Sequence, residues 1–220
     1  DFEGTKSIVD LTGVQFWKLA SLPLSVPEPV DTSQLASSFT RAKLAWYQID
    51  PIFYTNREDF GFDSQSPSLN NNYSRRVEPK EVFPNVTVGA GNNVLATFDL
   101  HYFPNLRGPY NYEYRNSRLN PNGTFRFPKE NWAGIMRRTT GNTDFEAANF
   151  EFIEFWVMDP FLDDPNHDGG ELVFNLGKVS EDVLRDNRRA FENGLPPDGS
   201  LNANISQTSW GRVSNLTPPT

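Results

Sequence analysis

The chain contains no cysteine. Disulfides, thiol nucleophiles and cysteine-ligated metals are therefore excluded. Histidine is nearly absent, with His101 and His167 the two in 220 residues. His101 reads as a strand residue and His167 as a turn residue. No Gly-x-Ser-x-Gly elbow occurs, and a general base needs a positioned partner that the sequence does not supply. No apolar run reaches the ~18 residues that mark a membrane helix. A basic surplus is lacking too: 20 basic residues face 28 acidic ones, for a net charge of −8. Nucleic-acid backbones and anionic membranes both require a positive face, so neither is an expected partner.

Neither an initiating Met nor a leader precedes Asp1, and the chain ends Leu216-Thr217-Pro218-Pro219-Thr220. The expectation is a piece of something larger, with one domain over 1–215 and the start of a linker over 216–220. Hydrophobic residues make up 37% of the chain, a low share, yet aromatics reach 14% and Phe alone occurs 18 times. A core poor in aliphatics and rich in large rings suits pleated sheets better than helices.

Alternating runs bounded by turn residues recur along the chain, which is the strand signal. They cover Gly13 to Leu19, Ala42 to Ile49, Val94 to Tyr102, Phe125 to Phe127, Phe150 to Met158 and Glu171 to Leu176. Polar and proline-rich connections lie over Pro23 to Asp31, Asp63 to Ser74 and Pro104 to Gly123. One short helix is expected near 180–193. Ser180 is placed as its N-cap, Glu181 and Asp182 in its first turn, and Val179 and Leu184 as a hydrophobic staple. Arg188 and Arg189 stand towards its end, with Gly194 just beyond. No repeat of fixed period is found. Short strands, long loops and a single helix predict an all-β fold, an antiparallel jelly-roll-like β-sandwich.

Few residues are candidates for chemistry. Glu146, Glu151 and Glu154 could suggest paired carboxylates for glycoside hydrolysis. Glu151, however, alternates with Phe150 and Phe152, which reads as a solvated sheet face. Asp164, Asn166 and Asp168 fall at i, i+2 and i+4 before Gly169, the front half of a calcium loop. Asn175 stands where that loop needs a bidentate Glu, so an EF-hand is excluded. Two readings stay open, an Asx-rich turn and a structural calcium site on Asp164, Asn166 and Asp168. Tyr110, Tyr112 and Tyr114, flanked by Arg107 and Arg115, are either interface material or one inward aromatic face. With Trp132 and Trp210, Tyr110 and Tyr112 form the candidate interaction aromatics.

Longer strings carry more information than these short patterns. Asn131-Trp132-Ala133-Gly134-Ile135-Met136-Arg137 is followed by Asp144-Phe145-Glu146-Ala147-Ala148-Asn149-Phe150-Glu151-Phe152-Ile153-Glu154-Phe155-Trp156. To these add Gly4-Thr5-Lys6 to Trp17-Lys18-Leu19-Ala20, Gly170-Glu171-Leu172 to Leu176-Gly177, and Ser180-Glu181-Asp182-Val183-Leu184 to Phe191-Glu192-Asn193-Gly194-Leu195-Pro196. Spread over nearly the whole chain, they resemble the SprA family of Bacteroidetes, also called Sov. These are outer-membrane proteins of gliding motility and type IX secretion.

The resemblance implies a part in a translocon, whose large barrel passes folded cargo with the help of accessory proteins. This chain lacks the ladder of lipid-facing alternating segments that such a barrel needs. The resemblance therefore implies a soluble, non-catalytic piece, presented on the extracellular side and not itself spanning the membrane. Its implied partners are the remainder of the parent translocon, accessory secretion proteins and secreted cargo. The alternative is a carbohydrate-binding module, since the expected fold looks like a galactose-binding-like jelly roll. That likeness is at fold level and does not establish sugar binding.

Overall fold

A computed structural model describes residues 9–23, 26, 36–55, 61, 63–89, 94–139, 144–146 and 150–184, together with the strand backbones of 205–208 and 211–214. The chain folds as two compact units, each assembled from segments distant in sequence. The first comprises Asp1–Val14, Trp46–Asp99 and Thr139–Leu172; the second comprises Gln15–Ala45, Leu100–Arg138 and Val173–Thr220.

The described residues are mostly non-helical and their strands are short and antiparallel where registered, so the β-rich reading holds. In the second unit, β1 (Lys18–Leu19) pairs with β4 (Ile135–Met136), Lys18 opposite Met136. β2 (Ala42–Tyr47) neighbours β3 (Asp99–Arg107). These two lie in the second unit apart from their ends, Trp46–Tyr47 and Asp99. β5 (Ile205–Thr208) and β6 (Gly211–Ser214) form a hairpin with Ile205 opposite Ser214. Every sheet among the described residues has two strands, so each strand is an edge. This explains how Pro104 sits inside β3: with no amide to donate, proline is tolerated where a ladder partner is missing on one side. Its carbonyl accepts from Asn131 Nδ2 at 2.8 Å.

Among the described residues of the first unit the α-helical content is one turn, α1 (Pro79–Val82), with a 3-10 turn at Pro51–Tyr54. Glu81 reaches back to accept the Glu78 amide at 2.9 Å and pairs with Arg75 at 3.0 Å. Those contacts, the backbone amide first, lower the Glu81 pKa below its ordinary value. Among the described residues no helix is long and apolar enough to cross a membrane.

The expected helix near 180–193 does not start at Ser180. Residues 180–182 have no regular structure, 183–184 form a bend, and 185–193 lie outside the described residues. Ser180 Oγ accepts from the Asp182 amide at 3.1 Å, a local turn rather than a cap. Tertiary contacts override the helix signal here. The Val183 carbonyl accepts a hydrogen bond from Arg41, and Leu184 is buried against Ala36, Phe39 and Tyr112. Val179 stays exposed, so the staple does not close.

Among the described residues nearly all the buried apolar ones lie in the second unit; Val77 is the one from the first. At the centre of that core is a cation. Arg41 is 1% exposed. Its Nη1 donates to the Ala20 carbonyl at 2.7 Å and its Nη2 to the Val183 carbonyl at 2.9 Å. The guanidinium carbon lies 4.5 Å from the Trp132 ring centroid. Among the described residues no carboxylate pairs with it. Burial lowers its pKa to about 10, against a weaker opposing effect of Tyr110. A cation whose pKa falls on folding holds its proton less tightly in the native state. Its burial therefore opposes folding at neutral pH, and the penalty shrinks as pH rises through about 10.

The Arg41 backbone is equally committed. Its amide donates to Ser38 O at 3.0 Å, and its carbonyl accepts from Gly108 N at 3.1 Å and Asn111 Nδ2 at 2.6 Å. Gly108 approaches so closely that a Cβ there would stand 2.3 Å from the Ala42 carbonyl oxygen. A backbone atom cannot swing aside as a side-chain tip can. Gly108→Ala is expected to lower the unfolding free energy by about 1–3 kcal/mol. Gly170→Ala, where a Cβ meets nothing within 4 Å, changes it by less than about 0.5 kcal/mol. Urea denaturation of both variants checks this pair.

Candidate functional site

The acidic turn is built by its own backbone. Asp164 N donates to Phe161 O at 3.0 Å, and Asp164 O accepts from His167 N at 3.2 Å. Asp164 Oδ1 accepts from the Asn166 amide at 3.3 Å, an Asx turn. The His167 ring stacks on Phe161, centroids 3.5 Å apart, and its Nδ1 accepts from Gly169 N at 2.7 Å. Gly169 has φ +80°, a conformation that favours glycine. Among the described residues, no three His, Cys, Asp or Glu side chains converge on one point. The Asp164 Oδ1 contact with the Asn166 amide forms the Asx turn that one of the two readings expects. The thermal midpoint of the chain is expected to stay within experimental error when calcium is added and then removed with EDTA. A rise with calcium that EDTA reverses would contradict this.

Of the candidate aromatics, the structure turns two inward. Tyr112 and Trp132 are buried, so they cannot serve as an exposed platform. Tyr110 is half-buried at φ 57° and packs on the cluster of Ala36, Phe39, Tyr112 and Leu184. Trp210 lies outside the described residues. The inward reading of the tyrosine stretch therefore holds for Tyr112 and not for the exposed Tyr114.

What fixes this stretch is polar. Asn111 and Glu113 are both fully buried. Asn111 Nδ2 donates to Phe39 O at 3.1 Å as well as to Arg41 O, while its Oδ1 accepts from Glu113 N at 2.9 Å. Glu113 takes Arg115 in a two-pronged pair, Nε to Oε1 at 2.8 Å and Nη2 to Oε2 at 2.6 Å. The amides of Tyr114 and Arg115 also donate to Glu113 Oε1, each at 3.0 Å. Arg115 in turn lies over the Phe39 ring at 4.8 Å. A carboxylate so fully hydrogen-bonded is an anchor for its loop. Glu113→Gln is expected to cost about 2–4 kcal/mol of stability, because Arg115 and two amides lose a charged acceptor. Chemical denaturation measures it, and a change below experimental error would contradict it.

The carboxylates weighed for hydrolysis, Glu146, Glu151 and Glu154, are exposed. His101 lies in β3 with its ring 4.8 Å from that of Phe103.

Sequence reasoning missed the surface that stands out. The run Phe150 to Met158, read as a strand from its alternation, belongs to no strand or helix among the described residues. Phe152 is 83% exposed, Trp156 70% and Val157 71%. Phe83, itself exposed, holds the Trp156 ring edge-on at 6.3 Å between centroids. Farther along the chain, Leu162 and Leu172 are exposed as well. The available signal was charge: one side of an ordinary half-buried strand carries polar residues, whereas here both sides carry large apolar ones.

No protein-family model and no curated protein matches the chain.

Proposed function

We propose that this chain is a non-catalytic structural and interaction module of a SprA-like protein-secretion translocon. Two things support the reading. The first is the resemblance, carried by long strings in order over most of the sequence. The second, which weighs most, is the open apolar run at Phe152, Trp156 and Val157. A free-standing soluble domain rarely leaves so many large apolar side chains in water, whereas a module made to be covered does.

On this reading the module belongs to an outer-membrane assembly, on its extracellular side. Its partners are the rest of the parent, accessory secretion proteins and passing cargo. A jelly-roll β-sandwich of galactose-binding-like type is the architecture we propose for the domain, and the short antiparallel pairs are compatible with it.

Carbohydrate binding is the second reading, and the exposed Trp156 favours it. It loses Tyr112 and Trp132 from its proposed platform, which is why it stands second.

The test is genetic and biochemical. In-frame removal of these residues from the parent is expected to abolish type IX secretion, and the tagged 220-residue chain is expected to retain translocon components in pull-down. Wild-type secretion after the deletion would contradict the proposal. Glycan-array binding lost on Trp156→Ala would move the assignment to the second reading.

A further inference from the structure

The two compact units divide the charge of the chain unequally. The first holds 19 of the 28 acidic residues and five of the 20 basic ones, a net charge of −14. The second is left with nine acidic and 15 basic residues, a net charge of +6. Burial is divided as unequally. Among the described residues, Val77 is the one buried apolar side chain of the first unit, while Phe83, Phe152, Trp156 and Val157 of the same unit are exposed. This unit presents to water the residue types that ordinarily form a core.

Contacts between distant segments position these side chains. The Trp156 ring meets Phe83 edge-on, 73 residues away in sequence, with centroids 6.3 Å apart. Three residues further on, the Asp159 carbonyl accepts from Asn72 Nδ2 at 2.8 Å. Phe83 is itself fixed at the end of α1, where its amide donates to Pro79 O at 2.8 Å. Its carbonyl accepts from the Val86 amide at 3.0 Å, and Val86 is exposed too. Phe83 and Trp156 thus stand on one apolar surface. Glu151 and Glu154, both exposed, carry acid within five residues of Trp156.

We infer that the surface around Phe83 and Trp156 is a docking site for a partner polypeptide whose contacting face combines Lys or Arg with large apolar side chains. The exposed rings supply the area to be covered, and the −14 charge of their unit selects a cationic occupant. Like charge sets two copies of this surface against each other, and it repels an anionic lipid surface in the same way. This inference rests on the reading of the chain as an interaction module, and it names the chemistry of what is bound.

The test titrates the 220-residue chain by calorimetry with three synthetic peptides of equal length. One is built from lysine and leucine, one from glutamate and leucine, and one from lysine and serine. The lysine–leucine peptide is expected to bind at least about tenfold more tightly than either of the others, which lack the charge or the apolar groups. Its advantage over the glutamate–leucine peptide shrinks in high salt. Phe152→Ser with Trp156→Ser is expected to weaken its binding at least about tenfold. Both side chains are largely in solvent, so circular dichroism of this variant should match that of the parent. Glu151→Gln with Glu154→Gln, which leaves the rings in place, is expected to weaken the binding about threefold. Equal binding of the lysine–leucine and glutamate–leucine peptides overturns the inference. Equal binding of the two lysine peptides overturns it as well, as does parent affinity in either double variant. Self-association of the parent chain that the serine variant loses, seen by sedimentation, assigns the surface to a second copy and overturns it too. If the chain pulls down translocon components but binds none of the peptides, the inference fails and the proposed function stands. If it binds the lysine–leucine peptide as expected but captures no translocon component, the secretion reading fails and the docking site stands.

Discussion

The guanidinium of Arg41 holds together segments that the sequence keeps far apart. Through Ala20 O and Val183 O it joins positions 21 and 142 residues away, and through the Trp132 ring it reaches a third segment. The backbone of the same residue ties in Gly108 and Asn111. Desolvating a cation costs several kcal/mol even after relaxation, so a buried arginine needs partners for its charge. Here two carbonyls take the two Nη donors and an aromatic face covers the guanidinium in place of a carboxylate, while Nε has no hydrogen-bond partner among the described residues. Hydrogen bonds from a charged donor are worth about 1.5–3 kcal/mol each, and a desolvated cation–π contact about 2 more. These gains have the size needed to offset the burial. A lysine would supply the charge without the planar fork that reaches both carbonyls while stacking on the ring.

Around this node the polar groups are as organised as the apolar ones. Ser38 Oγ accepts the Tyr112 amide, Asn111 bridges to Phe39 and Arg41, and Glu113 gathers Arg115 and two amides. A core short of Leu, Ile and Val gains definition in this way, because these hydrogen-bonded polar groups have fixed partners that permit one arrangement. The first unit has no comparable centre among the described residues. Its buried apolar contribution there is Val77, and its contacts are turns, local ion pairs and a few distant ones such as Phe83 on Trp156 and Asn72 to the Asp159 carbonyl.

Sequence pattern went furthest where a local rule governs the outcome. The run Ala42 to Ile49 became β2 (Ala42–Tyr47), and the Asp164 turn formed as its Asp, Asn and Gly content predicts. It failed where distant contacts decide. The strand read from Val94 begins at Asp99 and continues through Pro104 to Arg107, because an edge tolerates proline. Phe150 to Met158 forms no strand among the described residues, since alternation can suggest a strand but does not supply its neighbour. The helix signal at Ser180 gave way to the demands of Arg41 on Val183. Arg41 itself carried no signal, as an arginine beside a strand ordinarily faces water. Of the aromatic positions singled out, Tyr112 and Trp132 proved to be core, while the exposed Trp156 was read as one side of an ordinary strand.

The fold is fastened at Arg41, and on the proposed function the exposed run after Phe150 is the part a partner covers. Native-state hydrogen exchange on the 220-residue chain tests both halves at once. The amides of Arg41, Ala42 and Gly108 donate to Ser38 O, Trp132 O and Arg41 O. They are expected to exchange slowest and as a group, with those of Phe152, Ile153, Trp156 and Val157 close to the rate of unstructured peptide. Protection at 152–157 equal to that at Arg41 and Ala42 would contradict the claim, for the run would then be paired within the chain.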